Sequence, residues 1–257
     1  MGERESKMTN SAIDSIPLNI FNEYQEKLNK EKELFKKYVH IDTGKLPSEN
    51  FNGNIISFLS DTTEENGLFL KWMNMLCQLD ETNNNIISAC KLWELIKDDH
   101  PKKYVFNTSI FFKIQALNSY IIHDIKRSID DIISTIDFLK NNCKCIKVDC
   151  IGRNFYDNKR PCLSKIGHFD EQRDFLIKVN DLENAYKHSF TNNFSNLYGK
   201  DEPCIFAVYS KNNLNFKNAK IIGITLKELT EEYNTFYNKA KCIVEALCHE
   251  VHKNDQL

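Results

Sequence analysis

Apolar residues recur at intervals of three and four over most of the chain, which is the spacing of one face of an α-helix. The longest such pattern lies in residues 110–140, which contain neither glycine nor proline. Its apolar positions are Ile114, Leu117, Ile121, Ile125, Ile129, Ile132, Ile136 and Leu139. The pattern predicts one helix about 45 Å long. We expect its apolar stripe to pack inside a helical bundle rather than to form a coiled-coil seam.

Shorter patterns predict further helices on both sides of this one. Residues 14–39 have apolar positions at helical spacing, and a short helix is expected from Pro47 to Phe58. Two segments, 65–79 and 85–98, are expected to form a helical hairpin, because the polar sequence DETNNN separates them. Two more helices are predicted at 169–190 and 226–252. The sequence CIFAVYS, which begins at Cys204, fits a short strand or a buried helical segment.

These elements predict a mainly α protein, a multi-helix bundle with a long central helix. Eight glycines and five prolines are few for 257 residues, which disfavours sandwiches, barrels and glycine-rich nucleotide-binding turns. We expect a disordered tail over 1–13 and a helical body over 14–252. If that body divides, the expected lobes are 14–141 and 166–252, joined by the cysteine-rich segment 142–165.

Charge and hydropathy exclude two classes of partner. The chain has 34 basic and 36 acidic residues, with a formal net charge of −2, so it offers no electrostatic basis for binding nucleic acid. The sequence contains no stretch of about 18 apolar residues, the length that spans a bilayer, and its N-terminus lacks the apolar core of a secretory signal. We expect no nucleic-acid partner and no membrane span in this chain, and any anchor is expected beyond Leu257.

The sequence CKCIKVDCIGRNFYDNKRPC at 143–162 places four cysteines close together. Their spacing, C-x-C-x4-C-x11-C, lacks the C-x2-C pairs with which one turn supplies two ligands to a structural zinc ion, so zinc is disfavoured. Disulfide bonds fit better, because covalent closure stabilises a loop that has little apolar material. The candidates for disulfide bonds are all nine cysteines, Cys77, Cys90, Cys143, Cys145, Cys150, Cys162, Cys204, Cys242 and Cys248.

Two local expectations limit the pairing. Cys143 and Cys145 are too close in sequence to bond each other comfortably, so their partners should lie elsewhere. Cys77 and Cys90 flank the turn of the predicted hairpin, where they either bond each other or are buried as small apolar residues. Because nine is an odd number, at least one cysteine stays unpaired or forms an intermolecular bond.

The sequence contains no established catalytic signature. In CHEVH at 248–252, His249 and His252 are one residue closer than in the zinc motif H-E-x-x-H, and we expect them to be surface histidines. Three carboxylate pairs beside lysines are expected to be solubilising, and they are Asp98-Asp99, Asp130-Asp131 and Glu231-Glu232. We therefore expect no enzymatic activity and no catalytic, metal-binding or cofactor-binding residue. A Cys–His nucleophile pair stays open, because such residues meet only in the fold.

Three short elements surround the long helix and the cysteine-rich middle. They are KLPSENF at 45–51, ACKLWELIKDD at 89–99 and EEYNTFYNKAKC at 231–242. This order resembles the interspersed-repeat variant antigens of malaria parasites, the Pir/Vir family. The resemblance implies a helical ectodomain braced by disulfide bonds that has no enzymatic activity. It also implies export to the infected red cell or its surface, immune evasion, and binding of host cell-surface proteins or antibodies.

Two other functions stay open at this point. One is an intracellular, cytoplasmic adaptor with free core thiols, which binds partner helices through its long stripe. The other is an enzyme that uses a Cys–His pair or zinc.

Overall fold

The computed structural model describes residues 18–43, 65–97, 108–141, 149–152, 169–188, 202–209 and 219–254. This part of the chain forms five α-helices, a short 3-10 helix and two strands, so the prediction of a mainly helical fold is confirmed. The elements are α1 (Leu18–Lys37), α2 (Glu65–Ile96), α3 (Thr108–Lys140), the 3-10 helix (Asp170–Gln172), α4 (Arg173–His188), β1 (Cys204–Tyr209), β2 (Lys220–Thr225) and α5 (Leu226–Asn254). The predicted tail 1–13, the predicted short helix at 47–58 and most of 142–165 lie outside the described residues.

The chain divides into two compact units, residues 1–38 and 39–257. The described element of the first unit is α1, which ends in Lys36 and Lys37, cations that interact favourably with the C-terminal end of a helix dipole. An exposed ion pair at 2.8 Å joins Glu33 to Lys36. The other described elements belong to the second unit. The predicted lobes 14–141 and 166–252 stay a prediction.

The long helix α3 lies at the centre of the second unit, as its apolar pattern predicted. It contacts α2, α4 and α5, so its apolar residues are covered from several directions. Within α3, the isoleucines with no exposed surface are Ile121, Ile122, Ile125, Ile129, Ile132, Ile133 and Ile136. Because burying one such side chain contributes about 1.5–3 kcal/mol, this helix supplies a large share of the core.

The helix α2 contradicts the predicted hairpin, because it continues from Glu65 to Ile96 without interruption. The polar sequence DETNNN stays helical, and its Thr82 and Asn83 are buried. The Thr82 hydroxyl donates to the Gln78 carbonyl at 2.8 Å. A buried polar side chain is tolerated when it is hydrogen-bonded, so these residues do not turn the chain.

One asparagine from each of two helices holds residues 39–43. The Asn83 amide of α2 accepts from the Ile41 N–H at 2.7 Å and donates to the Ile41 carbonyl at 3.0 Å. The Asn234 amide of α5 accepts from the Asp42 N–H at 2.7 Å and donates to the His40 carbonyl at 3.3 Å. The two side chains therefore satisfy backbone groups that would otherwise need a strand partner.

The closing helix α5 confirms the pattern predicted for 226–252. It is joined to the core by Tyr233, Phe236 and Tyr237, all of which are buried. The ring of Tyr237 lies 6.2 Å from that of Trp72 on α2, and the Tyr233 hydroxyl lies 2.8 Å from Ser128 Oγ on α3. Burial raises the pKa of the Tyr233 hydroxyl above its ordinary value, so this group stays protonated and bonded to Ser128.

The two strands form an antiparallel sheet in which Phe206 of β1 pairs with Gly223 of β2. The strand alternative for CIFAVYS is therefore confirmed, whereas β2 was not predicted. The Phe206 ring lies directly against the glycine, so that a Cβ atom at Gly223 would be 2.6 Å from it. Glycine is required here because a side chain would occupy the space of the ring.

We expect Gly223→Ala to lower the free energy of unfolding by about 1–3 kcal/mol, because the added methyl group overlaps the Phe206 ring. Urea unfolding followed by circular dichroism measures this change. In a Phe206→Leu background the same substitution should cost less, since the smaller side chain can move away. Equal costs in the two backgrounds would show that the ring is not the obstacle.

Candidate functional site

None of the six cysteines in the described segments forms a disulfide bond. Cys77 and Cys242 are exposed and Cys150 is partly exposed, whereas the buried thiols are Cys90, Cys204 and Cys248. The remaining three, Cys143, Cys145 and Cys162, lie outside the described residues, so bonds that involve only those three stay a prediction.

The structure excludes a bond between Cys77 and Cys90. Both lie on the continuous helix α2, where a separation of 13 positions corresponds to about 20 Å along the axis. Bonded cysteines have Cα atoms only about 4.4–6.8 Å apart. Cys90 instead matches the other alternative, a small buried residue, whereas Cys77 is exposed and matches neither alternative. Burial, together with the nearby Glu94 and Glu202, raises the pKa of its thiol to about 11, so it is protonated and unreactive at neutral pH.

We expect Cys77 and Cys242 to be alkylated rapidly in the folded, unreduced protein, because both are exposed. Cys90, Cys204 and Cys248 should react only after unfolding, since reagent cannot reach a buried thiol. Mass-spectrometric mapping before and after denaturation, without a reductant, measures both groups. At least six cysteines should be alkylated in the denatured sample. A smaller number would mean that described cysteines form bonds, which contradicts the structure.

Residues 149–152 anchor the cysteine-rich segment to the core. Ile151 is completely buried, and its backbone N–H donates to Asp130 Oδ1 at 2.9 Å. The other carboxylate oxygen of Asp130 pairs with Lys126, one turn earlier on α3. Desolvation raises the pKa of Asp130, although the Lys126 charge and the Ile151 hydrogen bond oppose this effect. The anchor fixes the middle of the segment without a covalent bond.

The helix α4 completes this anchor. Gly152 lies so close to Asn180 that a Cβ atom on the glycine would be 2.9 Å from the amide oxygen. Asn180 is buried, and its amide nitrogen has no hydrogen-bond partner among the described residues. The residues 149–152 therefore fit between α3 and α4, and a larger side chain at Gly152 would displace them.

The pair Asp130-Asp131 is structural, contrary to the prediction that it is solubilising. Asp131 Oδ1 lies 3.1 Å from the Lys71 ammonium of α2, and the same ammonium donates to Ser134 Oγ at 2.7 Å. Lys71 is near the start of α2 and its partners are near the end of α3, so the two helices are antiparallel. Sequence reasoning placed both aspartates on a solvated face because it could not identify Lys71 of α2 as the partner of Asp131.

A second polar cluster joins α3 to α4 and was missed by sequence reasoning. Glu183 is buried, and its Oε1 atom lies 2.8 Å from His123 Nδ1 and 2.7 Å from the Lys187 ammonium. A buried carboxylate needs such partners to offset its desolvation. Burial also raises the pKa of the neighbouring Asp124, while His123 and Arg127 oppose the effect. The arrangement fits the docking of α4 onto α3.

Large apolar side chains are exposed on three of the described elements. They are Leu70 and Leu95 on α2, Phe112 and Tyr120 on α3, and Ile221 on β2, with exposures of 65%, 68%, 53%, 60% and 77%. Single exposed apolar residues are common, but neighbouring ones mark interaction surfaces. Leu95, Phe112 and Tyr120 lie on two helices that pack together, and these exposed side chains are the candidate interaction residues of this protein.

The other residues considered from the sequence add no site. Glu231 and Glu232 are exposed, as expected. The pair Asp98-Asp99 and the side chains of His249 and His252 lie outside the described part. Within the described residues, no group of three or more His, Cys, Asp and Glu side chains is placed to hold a metal ion.

No protein-family model, curated protein or solved structure matches this chain. Among the described helices, none is both long enough and apolar enough to cross a membrane.

Proposed function

We propose that this chain is a non-enzymatic antigen of the Pir/Vir type, exported to the infected red cell or its surface, where it binds host proteins or antibodies. The observation that carries the proposal is the exposure of Leu95, Phe112 and Tyr120 on two packed helices. Covering water-exposed apolar side chains with a partner lowers the free energy of the system. This arrangement supports a binding function.

The residues that carry the family resemblance also support the proposal. In the elements ACKLWELIKDD and EEYNTFYNKAKC, the buried residues are Ala89, Cys90, Trp93, Tyr233, Phe236, Tyr237 and Ala240. Their role is therefore in packing. A family that shares a core and varies its surface can change what antibodies recognise without losing its fold. The buried positions are those that such a family must keep apolar.

The proposal also includes a way of holding the cysteine-rich segment 142–165 against the helices. The anchor at Ile151 holds its middle against α3. A disulfide bond from Cys162 to either Cys143 or Cys145 is proposed to brace the rest of the loop. Covalent closure of this kind suits an exported protein, because disulfide bonds persist in oxidising surroundings.

Antibodies raised against the folded chain test the proposed location. Immunofluorescence of infected red cells should show the protein beyond the parasite boundary, in the red-cell compartment or at its surface, and pre-immune serum provides the control. Staining confined to the parasite cytosol would contradict the proposal.

An intracellular helical adaptor is the second candidate, and it is favoured by the six thiols that form no disulfide bond. Such thiols are typical of reducing compartments. Thermal unfolding with and without a reductant separates the two candidates. An unchanged melting temperature favours the adaptor, whereas a decrease on reduction favours an antigen whose loop is braced by disulfide bonds.

A further inference from the structure

We propose that the outer side of β2 pairs with the same strand of a second copy of this chain, so that two two-stranded sheets join into one antiparallel sheet. The pairing is centred on Ile222 and places Ile221 of each copy opposite Gly223 of the other. Below, the outward backbone and side chains of Ile221 and Gly223 are called the β2 edge. This inference concerns contacts between copies of the chain, so it goes beyond the proposed function and does not depend on it.

The register of the sheet determines which backbone groups of β2 point outward. The Leu226 N–H donates to the Pro203 carbonyl at 2.9 Å, so these two residues form a hydrogen-bonded pair. Along an antiparallel ladder, such pairs alternate with pairs that do not bond each other. Phe206 and Gly223 face each other three positions further into the sheet, so they belong to the second kind. The N–H and C=O groups of Gly223, and those of Ile221 two positions earlier, therefore point away from β1.

The two sides of this small sheet differ in what satisfies their outward backbone groups. On the β1 side, the Tyr186 hydroxyl of α4 donates to the Phe206 carbonyl at 3.3 Å, and the Asn118 amide of α3 donates to the Cys204 carbonyl at 3.5 Å. On the β2 side, no described residue bonds the outward N–H and C=O groups of the β2 edge. A row of unpaired N–H and C=O groups on an exposed strand is a template for another strand.

The side chains at the β2 edge are complementary to those of a second copy. Ile221 is 77% exposed, and it lies on the same face of the sheet as Gly223, where the Phe206 ring occupies the space of the missing side chain. In the proposed pairing, Ile221 of one copy lies opposite Gly223 of the other and beside the Phe206 ring that covers this glycine. Cross-strand contact between a β-branched side chain and an aromatic ring is favourable.

The twofold symmetry of the pairing doubles each of these contacts. Ile221 and Gly223 of opposite copies form a hydrogen-bonded pair, which exchanges two backbone hydrogen bonds, and the symmetry axis generates the same pair again. One strand therefore supplies both halves of the interface, as a twofold interface requires. A strand of another sequence would need its own apolar residue beside the Phe206 ring, whereas the second copy provides one.

The charge on β2 is compatible with this register. The strand has the sequence KIIGIT, in which Lys220 is the charged residue. Pairing centred on Ile222 separates the two copies of Lys220 by four positions, about 13 Å, which exceeds the Debye length of about 8 Å at physiological salt. Pairing centred on Lys220 would instead place like charges directly opposite each other, which is unfavourable. The lysine therefore favours the proposed register over the shifted one.

Sedimentation equilibrium of the full chain measures the association. A pair of six-residue strands buries less than the about 1,600 Å² of a standard interface, so we expect a reversible monomer–dimer equilibrium at concentrations up to about 0.5 mM. Ile221→Pro should raise the dimer Kd about tenfold or more, because both copies lose the outward N–H. Proline is tolerated at this position, since that N–H makes no bond to β1.

Ile221→Lys is a second variant that keeps the backbone N–H. It replaces the isoleucine beside the Phe206 ring by a charge, and it should also raise the dimer Kd about tenfold or more. Leu70→Ser is the matched control, because Leu70 is an exposed apolar residue of another element, 65% exposed, and its replacement should leave the Kd unchanged. Circular dichroism of each variant checks that the helices are retained.

Cysteine cross-linking tests the register. In the proposed pairing, Ile222 faces its own counterpart at a Cα distance of about 4.5 Å, which lies within the range of bonded cysteines. Mild oxidation of Ile222→Cys should therefore join two copies through position 222, and peptide mapping by mass spectrometry separates this bond from those of the native cysteines. Lys220→Cys is the control, because positions 220 of the two copies are too far apart to bond each other.

Three results would overturn the inference. The first is a chain that stays monomeric up to about 0.5 mM, including one whose β2 edge takes up an extended peptide of another protein instead. The second is a dimer whose Kd is the same in the unmodified chain and in both Ile221 variants, since such a dimer forms through another surface. The third is cross-linking of Lys220→Cys at position 220 as fast as that of Ile222→Cys at position 222.

Discussion

Replacing Phe236 by alanine should lower the free energy of unfolding by about 3–5 kcal/mol, because it removes a completely buried ring from the core. The ring centroid lies 4.9 Å from that of Phe169 and 6.1 Å from that of Tyr233. The substitution therefore removes contacts between α5 and the residues that precede α4, as well as contacts within α5. Urea unfolding followed by circular dichroism at 222 nm measures the loss.

Thr235→Ala is the control for this substitution. Thr235 is the neighbouring residue, it is exposed, and its hydroxyl donates to the Glu231 carbonyl of the preceding turn at 3.0 Å. Its replacement should change the free energy of unfolding by about 0.5 kcal/mol or less. Similar losses for the two variants would mean that Phe236 is not part of the core.

Replacing Asp130 by alanine should cost about 3 kcal/mol. The substitution leaves the buried ammonium of Lys126 without its partner, and it removes the acceptor of the Ile151 N–H. Unfolding in urea measures the global loss, and amide hydrogen exchange at Ile151 measures the local one. Adding Lys126→Met should recover most of the stability, since no buried charge then remains. Failure to recover it would show that the hydrogen bond, and not the ion pair, determines the cost.

The same aspartate predicts a dependence of stability on pH. Because burial raises its pKa above the ordinary value of 3.8, the folded protein binds this proton more tightly than the unfolded chain. The resulting stability is complete below the ordinary value and is lost as the pH rises through the folded pKa. The stability of the unmodified chain minus that of Asp130→Asn should therefore decrease as the pH rises above about 4. An increase over this range would contradict the assigned environment. Asp124, whose pKa is also raised, is present in both proteins and largely cancels from the difference.

The central helix could be predicted from the sequence because its isoleucines repeat at helical spacing over many turns. The hairpin in α2 was predicted wrongly, since a run of polar residues is typical of a turn. Asn83 stays in the helix because it bonds the backbone of Ile41, 42 positions earlier, and no local pattern reports such a partner. The strand β2 escaped prediction because Gly223 interrupts its apolar sequence, and only the Phe206 ring across the sheet explains that glycine.

The candidate site was less predictable for the same reason. Sequence periodicity shows which side of a helix is apolar, but it does not show which residue of another element contacts that helix. Asp130 meets Ile151 across 21 positions, and His123 meets Glu183 across 60. The placement of Leu95 on a helix packed against α3 also depends on α2 being continuous, which the predicted hairpin did not anticipate.

Binding of the folded chain to host cells tests the central claim most directly, namely that a helical antigen contacts a host protein through its exposed Leu95 and Phe112. Fluorescently labelled chain is titrated onto uninfected red cells, leukocytes and endothelial cells, and binding is measured by flow cytometry. We expect saturable binding to at least one cell type, weakened about tenfold or more by Leu95→Ser combined with Phe112→Ser and unchanged by Leu70→Ser. Absence of saturable binding to all three cell types, or equal binding by all three forms of the protein, would contradict the account.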